Sequence, residues 1–123
     1  LNLFIVADGM GGHKGGEVAS ALAVETVQDT IRKRRNEPKL SPRKLIADAY
    51  REASSRIHHR STYENPELLG MGTTMVLFWE HHERIYIANV GDSRAYIYSS
   101  PHLWQVTEDH SLINEQVWAG VIS

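Results

Sequence analysis

The apolar run Leu3-Phe4-Ile5-Val6-Ala7 stops on Asp8, and five glycines follow between Gly9 and Gly16 before a helix-forming sequence opens at Glu17. Such a run ending on a carboxylate marks the end of a buried strand. Glycines beyond it let backbone and ligand come close to the carboxylate. The pattern demands a strand, a tight connection and a helix in that order, and it suits a metal ion, a phosphate, or both.

The rest of the chain divides into helices and then strands. Asn2 to Ala7 reads as a strand apolar on both faces, and Asp8 to Gly16 as a loop. From Glu17 to about Arg35, Ala19, Leu22, Ala23, Thr26, Val27, Thr30 and Ile31 recur at helical spacing and form one stripe. Arg32-Lys33-Arg34-Arg35 closes that helix, where cations favour the negative end of the dipole, and is read so rather than as a nucleic-acid contact. Ser41-Pro42 opens a second helix, with Ser as N-cap and Pro in the first turn. Leu45, Ile46, Ala49, Tyr50, Ala53 and Ile57 share one of its faces, and it frays from Arg60 to Glu67 around Asn65-Pro66.

Gly72 to Trp79 reads as a strand covered on both sides, Glu80 to Glu83 as a turn, and Arg84 to Val90 as the return strand. Gly91-Asp92-Ser93 reads as a tight turn, Arg94 to Tyr98 and Leu103 to Thr107 as strands, and Ser111 to Ala119 as a helix. The fold class is α+β. Two packed antiparallel sheets with helices outside would cover every apolar face.

Composition removes whole classes of function. The chain has 123 residues, enough for one domain. It holds no cysteine, which excludes a disulfide scaffold, a thiolate zinc site and a cysteine nucleophile, and is consistent with a reducing compartment. No apolar run reaches the roughly 20 residues of a spanning helix. A net charge of −2 advertises neither a nucleic-acid nor an anionic-membrane surface. The chain starts inside a strand without an initiator Met, so both ends are expected to be cut from something longer.

Four segments could carry chemistry. In the glycine loop, the dinucleotide pattern fails at Lys14, and the P-loop pattern fails because Lys14 precedes Gly15 instead of Ser or Thr. Asp8 would repel a bare phosphate, so either a divalent cation lies between them or Asp8 caps the turn. Gly70-Met71-Gly72-Thr73-Thr74 either packs backbones closely beneath a site, with Thr hydroxyls as supporting donors, or simply starts a buried strand. Asn89-Val90-Gly91-Asp92-Ser93-Arg94 places a second carboxylate at a strand end, or makes an ordinary turn. In Thr107-Glu108-Asp109-His110-Ser111, Asp109 or Ser111 can cap a helix, and His110 is either catalytic or structural. The remaining histidines show no zinc spacing.

In this order, Asp8-Gly9-Met10-Gly11-Gly12-His13, Gly72-Thr73-Thr74, Val90-Gly91-Asp92-Ser93-Arg94 and Asp109-His110-Ser111-Leu112-Ile113-Asn114-Glu115-Gln116 resemble the signatures of the PPM family of metal-dependent protein phosphatases, type 2C, in its bacterial branch. The resemblance implies a four-layer α/β/β/α sandwich, of which residues 1–123 would be one partial domain lacking the N-terminal strand region and the C-terminal part. It implies hydrolysis of phosphoserine and phosphothreonine at a binuclear Mn2+ or Mg2+ centre, by water attacking phosphorus in line. Carried over by position, Asp8 bridges both metals, the Gly9 carbonyl is a ligand, and Asp92 belongs to a third, more weakly held metal. Thr73, Thr74, Ser93, Arg94, Asp109 and His110 fall to supporting or structural roles. No general acid is assigned, because Met10 stands where eukaryotic relatives carry a histidine.

Trp118 to Ser123 matches the start of a flap over the site. The implied partners are phosphoproteins and a Ser/Thr kinase or its targets, with no nucleic acid, no membrane span, a cytoplasmic location and a monomeric state. One Asp and one carbonyl cannot hold two hard cations, so the chain by itself is expected to be inactive. Two other readings stand beside this one: a non-catalytic binding module of the same fold, and a nucleotide-binding α/β domain built on the glycine loop.

Overall fold

The computed structural model describes residues 2–10, 12–91, 94, 96–99, 102–105 and 111–119. Strand β1 (Asn2–Met10) is followed by helices α1 (Gly12–Arg34) and α2 (Pro42–His59). Then come strands β2 (Gly72–His81), β3 (Arg84–Gly91), β4 (Tyr96–Ser99), β5 (His102–Gln105) and β6 (Ser111–Ala119). The architecture is α+β. One sheet has the order β1-β2-β3-β6, and a second pairs β4 with β5; the β2–β3, β3–β6 and β4–β5 pairs are antiparallel. The chain divides into two compact units, Ala7–Thr74 and Leu1–Val6 with Met75–Ser123.

The first unit is built on the α1–α2 hairpin. Ala19, Ala23, Val27 and Ile31, each four residues apart, are wholly buried along α1. Thr26 shares their burial because its hydroxyl donates to the Leu22 carbonyl at 2.7 Å, and Thr30 repeats this onto Thr26 at 2.8 Å. Helix α2 starts where local chemistry dictates. The Ser41 hydroxyl accepts the Lys44 amide at 3.1 Å, Pro42 opens the first turn, and Leu45, Ile46, Ala49, Tyr50 and Ala53 are buried. The segment expected to fray is ordered instead. A π turn, Arg60–Glu64, closes on Asn65 N–H donating to the Arg60 carbonyl at 2.7 Å, and a 3-10 turn, Pro66–Leu68, follows. Leu68 and Met71 then join Ala19 in a small core flanked by Val18 and Ile57.

The second unit is strand-rich. Met75, Val76, Leu77 and Trp79 of β2 are buried, as are Ile85, Tyr86, Ile87 and Ala88 of β3, so these strands are covered on both faces as their composition requires. The β2–β3 register runs from Met75↔Val90 to His81↔Arg84, leaving a two-residue turn. Both turn residues, His82 (φ 51°) and Glu83 (φ 64°), are left-handed, which matches the right-handed twist of the strands.

Three expectations are corrected. Helix α1 begins at Gly12, not Glu17, so Gly15 and Gly16 lie inside a helix rather than in a loop. Strand β1 is not covered on both faces: its residues alternate between exposed and half-buried, with Phe4 64% and Val6 66% exposed. It lies at an edge of the sheet, and Phe4 meets Phe78 edge-on at 5.9 Å. Ser111–Ala119 is strand β6, paired with β3 from Arg84↔Ala119 to Gly91↔Ser111, not a helix. The edge of β3 offers unpaired backbone groups, and Ile113, Val117 and Trp118 suit a pleated backbone.

Candidate metal centre

Asp8 lies near the end of β1 on its exposed face, between Val6 and Met10. Its side chain is free to take a ligand, and its main chain is not free to move. The Asp8 amide donates to Thr74 Oγ1 at 3.3 Å, and the Thr74 hydroxyl donates to the Asp8 carbonyl at 3.5 Å. Thr74 is 6% exposed, so this double contact is shielded from competing water. Thr73 turns its hydroxyl onto the Thr74 carbonyl at 2.7 Å.

The glycines hold the next residue. A Cβ on Gly9 would overlap the Gly16 carbonyl, and a Cβ on Gly16 would lie 3.0 Å from the Gly9 carbonyl carbon and 3.1 Å from its oxygen. The first turns of α1 therefore meet the end of β1 backbone to backbone. A Cβ on Gly15 would lie 3.3 Å from the Met71 side chain, and one on Gly72 would lie 3.6 Å from that of Met10. Sequence reasoning assigned the glycines to ligand approach and missed Gly16 as the residue that makes room for the Gly9 carbonyl. The Gly15-Gly16 doublet was the available signal, but its partner is only visible in three dimensions.

The donors present are a carboxylate and a carbonyl. Both are hard oxygen ligands of the kind Mg2+ and Mn2+ take, and two donors are fewer than either ion requires. Among the described residues no three His, Cys, Asp or Glu side chains cluster. The structure brings Asp8, Gly9, Thr73 and Thr74 together. Arg94 lies in the other unit, exposed, with its guanidinium donating to the Tyr96 hydroxyl at 3.4 Å. Asp92, Ser93, Asp109 and His110 lie outside the described residues; of the flap expected from Trp118 to Ser123, Trp118 and Ala119 end strand β6 and 120–123 lie outside the described residues.

Residues 1–117 match the family model described as protein phosphatase 2C. A serine/threonine phosphatase, Stp, of Listeria monocytogenes is 40% identical over 124 residues, covering 98% of this chain and 48% of its own length. Protein phosphatase PhpP of Streptococcus pneumoniae is 35% identical over 130 residues, again covering 98% of this chain and 48% of its own. Among solved structures, the Mycobacterium tuberculosis serine/threonine phosphatase PstP superposes with a TM-score of 0.74 at 36% identity, over 87% of this chain and 44% of that one. A PstP catalytic domain solved with two manganese ions superposes equally well, over 87% of this chain and 45% of that one.

The chain belongs to the protein phosphatase 2C family. It spans about half the length of the curated relatives it matches. The nucleotide-binding alternative falls with this result, and the packing gives the reason: Gly15 and Gly16 are occupied by Met71 and Gly9, not left open as a phosphate cradle. Among the described residues no helix is long and apolar enough to cross a membrane.

Proposed function

We propose that this chain forms part of the catalytic domain of a metal-dependent protein-serine/threonine phosphatase. The observation that carries the reading is the anchored Asp8-Gly9 pair in a chain 40% identical to a serine/threonine phosphatase. Asp8 would hold both metals through its carboxylate and Gly9 one of them through its carbonyl. Thr74 keeps the Asp8 main chain in place, and Gly16 leaves room for the Gly9 carbonyl. Two bound divalent cations would lower the pKa of water to make a nucleophile and offset charge on the phosphoryl oxygens.

The remaining ligands would come from outside the 123 residues. Mn2+ is favoured over Mg2+ by the two manganese ions of the PstP domain, and Asp92 is the candidate for a third, weaker site. The same reading makes the substrates phosphoserine and phosphothreonine proteins, including a kinase or its targets, and the enzyme cytoplasmic and monomeric.

The test is Mn2+-dependent hydrolysis of a phosphothreonine peptide by the longer enzyme and by its Asp8→Asn variant. Activity is expected in the first and lost by about a thousandfold or more in the second. Survival of activity in Asp8→Asn would remove Asp8 from the centre. Full turnover by the 123-residue chain alone would overturn the partial-domain reading.

A further inference from the structure

Charge is distributed very unevenly along this chain. Ten of its thirteen Lys and Arg residues lie between Arg32 and Arg60, against three carboxylates, Glu37, Asp48 and Glu52. That segment carries a net charge of +7 in a chain whose total is −2. It covers the end of α1, the connection and α2. The helix dipole does not account for it: a helix terminus carries about half a charge, against the four cations of Arg32–Arg35.

Four of these ten cations line a groove. An open cleft of about 610 Å³ runs between α1 and α2, lined by Lys33, Arg34, Arg51 and Arg56 together with the hydroxyl residues Thr30 and Ser55. Asp48 forms a hub at one end, accepting from Arg51 at 2.8 Å, Arg34 at 3.2 Å and Lys44 at 3.4 Å. Glu52 takes Arg56 at 3.3 Å. These pairs engage Arg34, Arg51 and Arg56 with Asp48 and Glu52, so the cations left over lie on the rest of the hairpin rather than in the groove's lining, Lys33 excepted. Arg32, Lys33 and Lys39 are exposed and hold no ion pair among the described residues.

We propose that the basic face of the α1–α2 hairpin docks an acidic polypeptide segment of a partner protein. Charge complementarity selects an anionic partner, and the groove selects among anions. Asp29, Asp48 and Glu52 interrupt the positive surface, so an unbroken row of phosphates would meet repulsion. The lining contains no aromatic side chain on which a base could stack and no large apolar one to enter lipid. A polypeptide spaces its carboxylates along a neutral backbone, whose amides can donate to the groove's carboxylates and hydroxyls. This docking requires no catalytic turnover, so it stands apart from the phosphatase reading.

The test uses the purified chain and a fluorescein-labelled glutamate-rich peptide, read by fluorescence anisotropy. Binding is expected to weaken at least tenfold between about 50 mM and about 500 mM salt, because the Debye length shortens. The triple variant Arg32→Gln, Lys33→Gln, Lys39→Asn should weaken it about tenfold at low salt while leaving the thermal melt unchanged, since these side chains hold nothing else. Asn is chosen at position 39 because Lys39 is left-handed, φ 65°. Unchanged affinity in the variant, equal binding of a glutamine-rich control peptide, or tighter binding to duplex DNA or phosphatidylserine vesicles would each overturn the proposal. An independent charge reversal, Lys33→Glu, should shift preference toward a lysine-rich peptide, and no shift would count against it.

Discussion

The hydroxyl of Thr74 takes both backbone hydrogen-bonding groups of Asp8, accepting its amide at 3.3 Å and donating to its carbonyl at 3.5 Å across 66 residues of sequence. A single buried side chain thus fixes the main chain of the candidate metal ligand while leaving the carboxylate exposed. Thr74→Val keeps the shape and removes both bonds. The expected loss is about 1–2 kcal/mol of stability, read from urea melts of the chain, because the partly buried Asp8 backbone groups are left without their partner. In the longer enzyme the apparent Mn2+ affinity should fall by about tenfold, the usual effect of losing a group that orients a ligand. Thr74→Ser should restore most of both.

The close approach of Gly9 and Gly16 gives a graded prediction. Gly16→Ala would raise helix propensity by about 1 kcal/mol. It would also place a methyl against the Gly9 carbonyl at 3.0–3.1 Å, where backbone must give way. We expect the clash to prevail and the variant to lose about 1–3 kcal/mol. Gly9→Ala, whose Cβ would overlap the Gly16 carbonyl, should lose more and be the less soluble of the two. Thermal melts of both variants check the order, and a stabilised Gly16→Ala would refute the backbone contact.

How much of this was legible beforehand depends on whether the deciding interaction was local. The start of α2 was readable because Ser41 and Pro42 act within one turn. The stripe from Ala19 to Ile31 was readable because helical spacing alone puts those residues on one face. The glycine segment was misread because its partners, Met71 and the Gly9 backbone, are brought in by folding. The cover expected over β1 was inferred from apolar composition, which says that a face should be buried but not by what. Ser111–Ala119 mixes residues that tolerate both periods, and an available strand edge decided it. The Asp8 motif was visible as a motif, but the grip of Thr74 on it was not. The net charge of −2 hid the segregation of cations onto one hairpin.

The turn between β2 and β3 is built from residues poorly suited to it. His82 and Glu83 are both left-handed, and neither is the Asn-Gly pair that such a turn favours. A left-handed conformation costs a residue other than glycine about 1 kcal/mol. Glu83→Gly, and more so the pair His82→Asn with Glu83→Gly, should raise stability by about 0.5–1 kcal/mol per site. The urea midpoint should move up with an unchanged slope. A lower midpoint would mean that the His81–His82 ring contact, at 3.9 Å, contributes more than the backbone relief.

Asp48 makes stability depend on acid. Burial disfavours its charge, but hydrogen bonds from Arg34 and Lys44 outweigh this and hold its pKa below the ordinary 3.8. A carboxylate with a depressed folded pKa stabilises fully above its unfolded pKa, and that stabilisation is lost as pH falls through the folded one. The window therefore opens just below pH 4 and extends downward. Asp48→Asn should cost on the order of 1 kcal/mol at pH 7, a modest figure because Lys44 and Arg51 are well exposed. It should also flatten the acid limb of the stability curve. If wild type and Asp48→Asn lose stability in parallel between pH 5 and pH 2, the hub does not control the acid response.

Asp8 itself offers the sharpest separation of stability from function. Its carboxylate is exposed and holds no hydrogen bond or ion pair among the described residues, whereas its backbone is held by Thr74. Asp8→Asn keeps the backbone contact, the shape and the exposure, and removes only the charge. Stability of the chain should change by less than about 0.5 kcal/mol, as for a surface substitution away from structural features. The metal response should not survive: an amide oxygen is neutral and cannot bridge two divalent cations as a carboxylate does. Mn2+ binding to the longer enzyme, followed by calorimetry beside a thermal melt without metal, reads the two quantities separately. Loss of stability with Mn2+ affinity intact would make Asp8 a structural residue; loss of affinity with stability intact is the outcome that its placement requires.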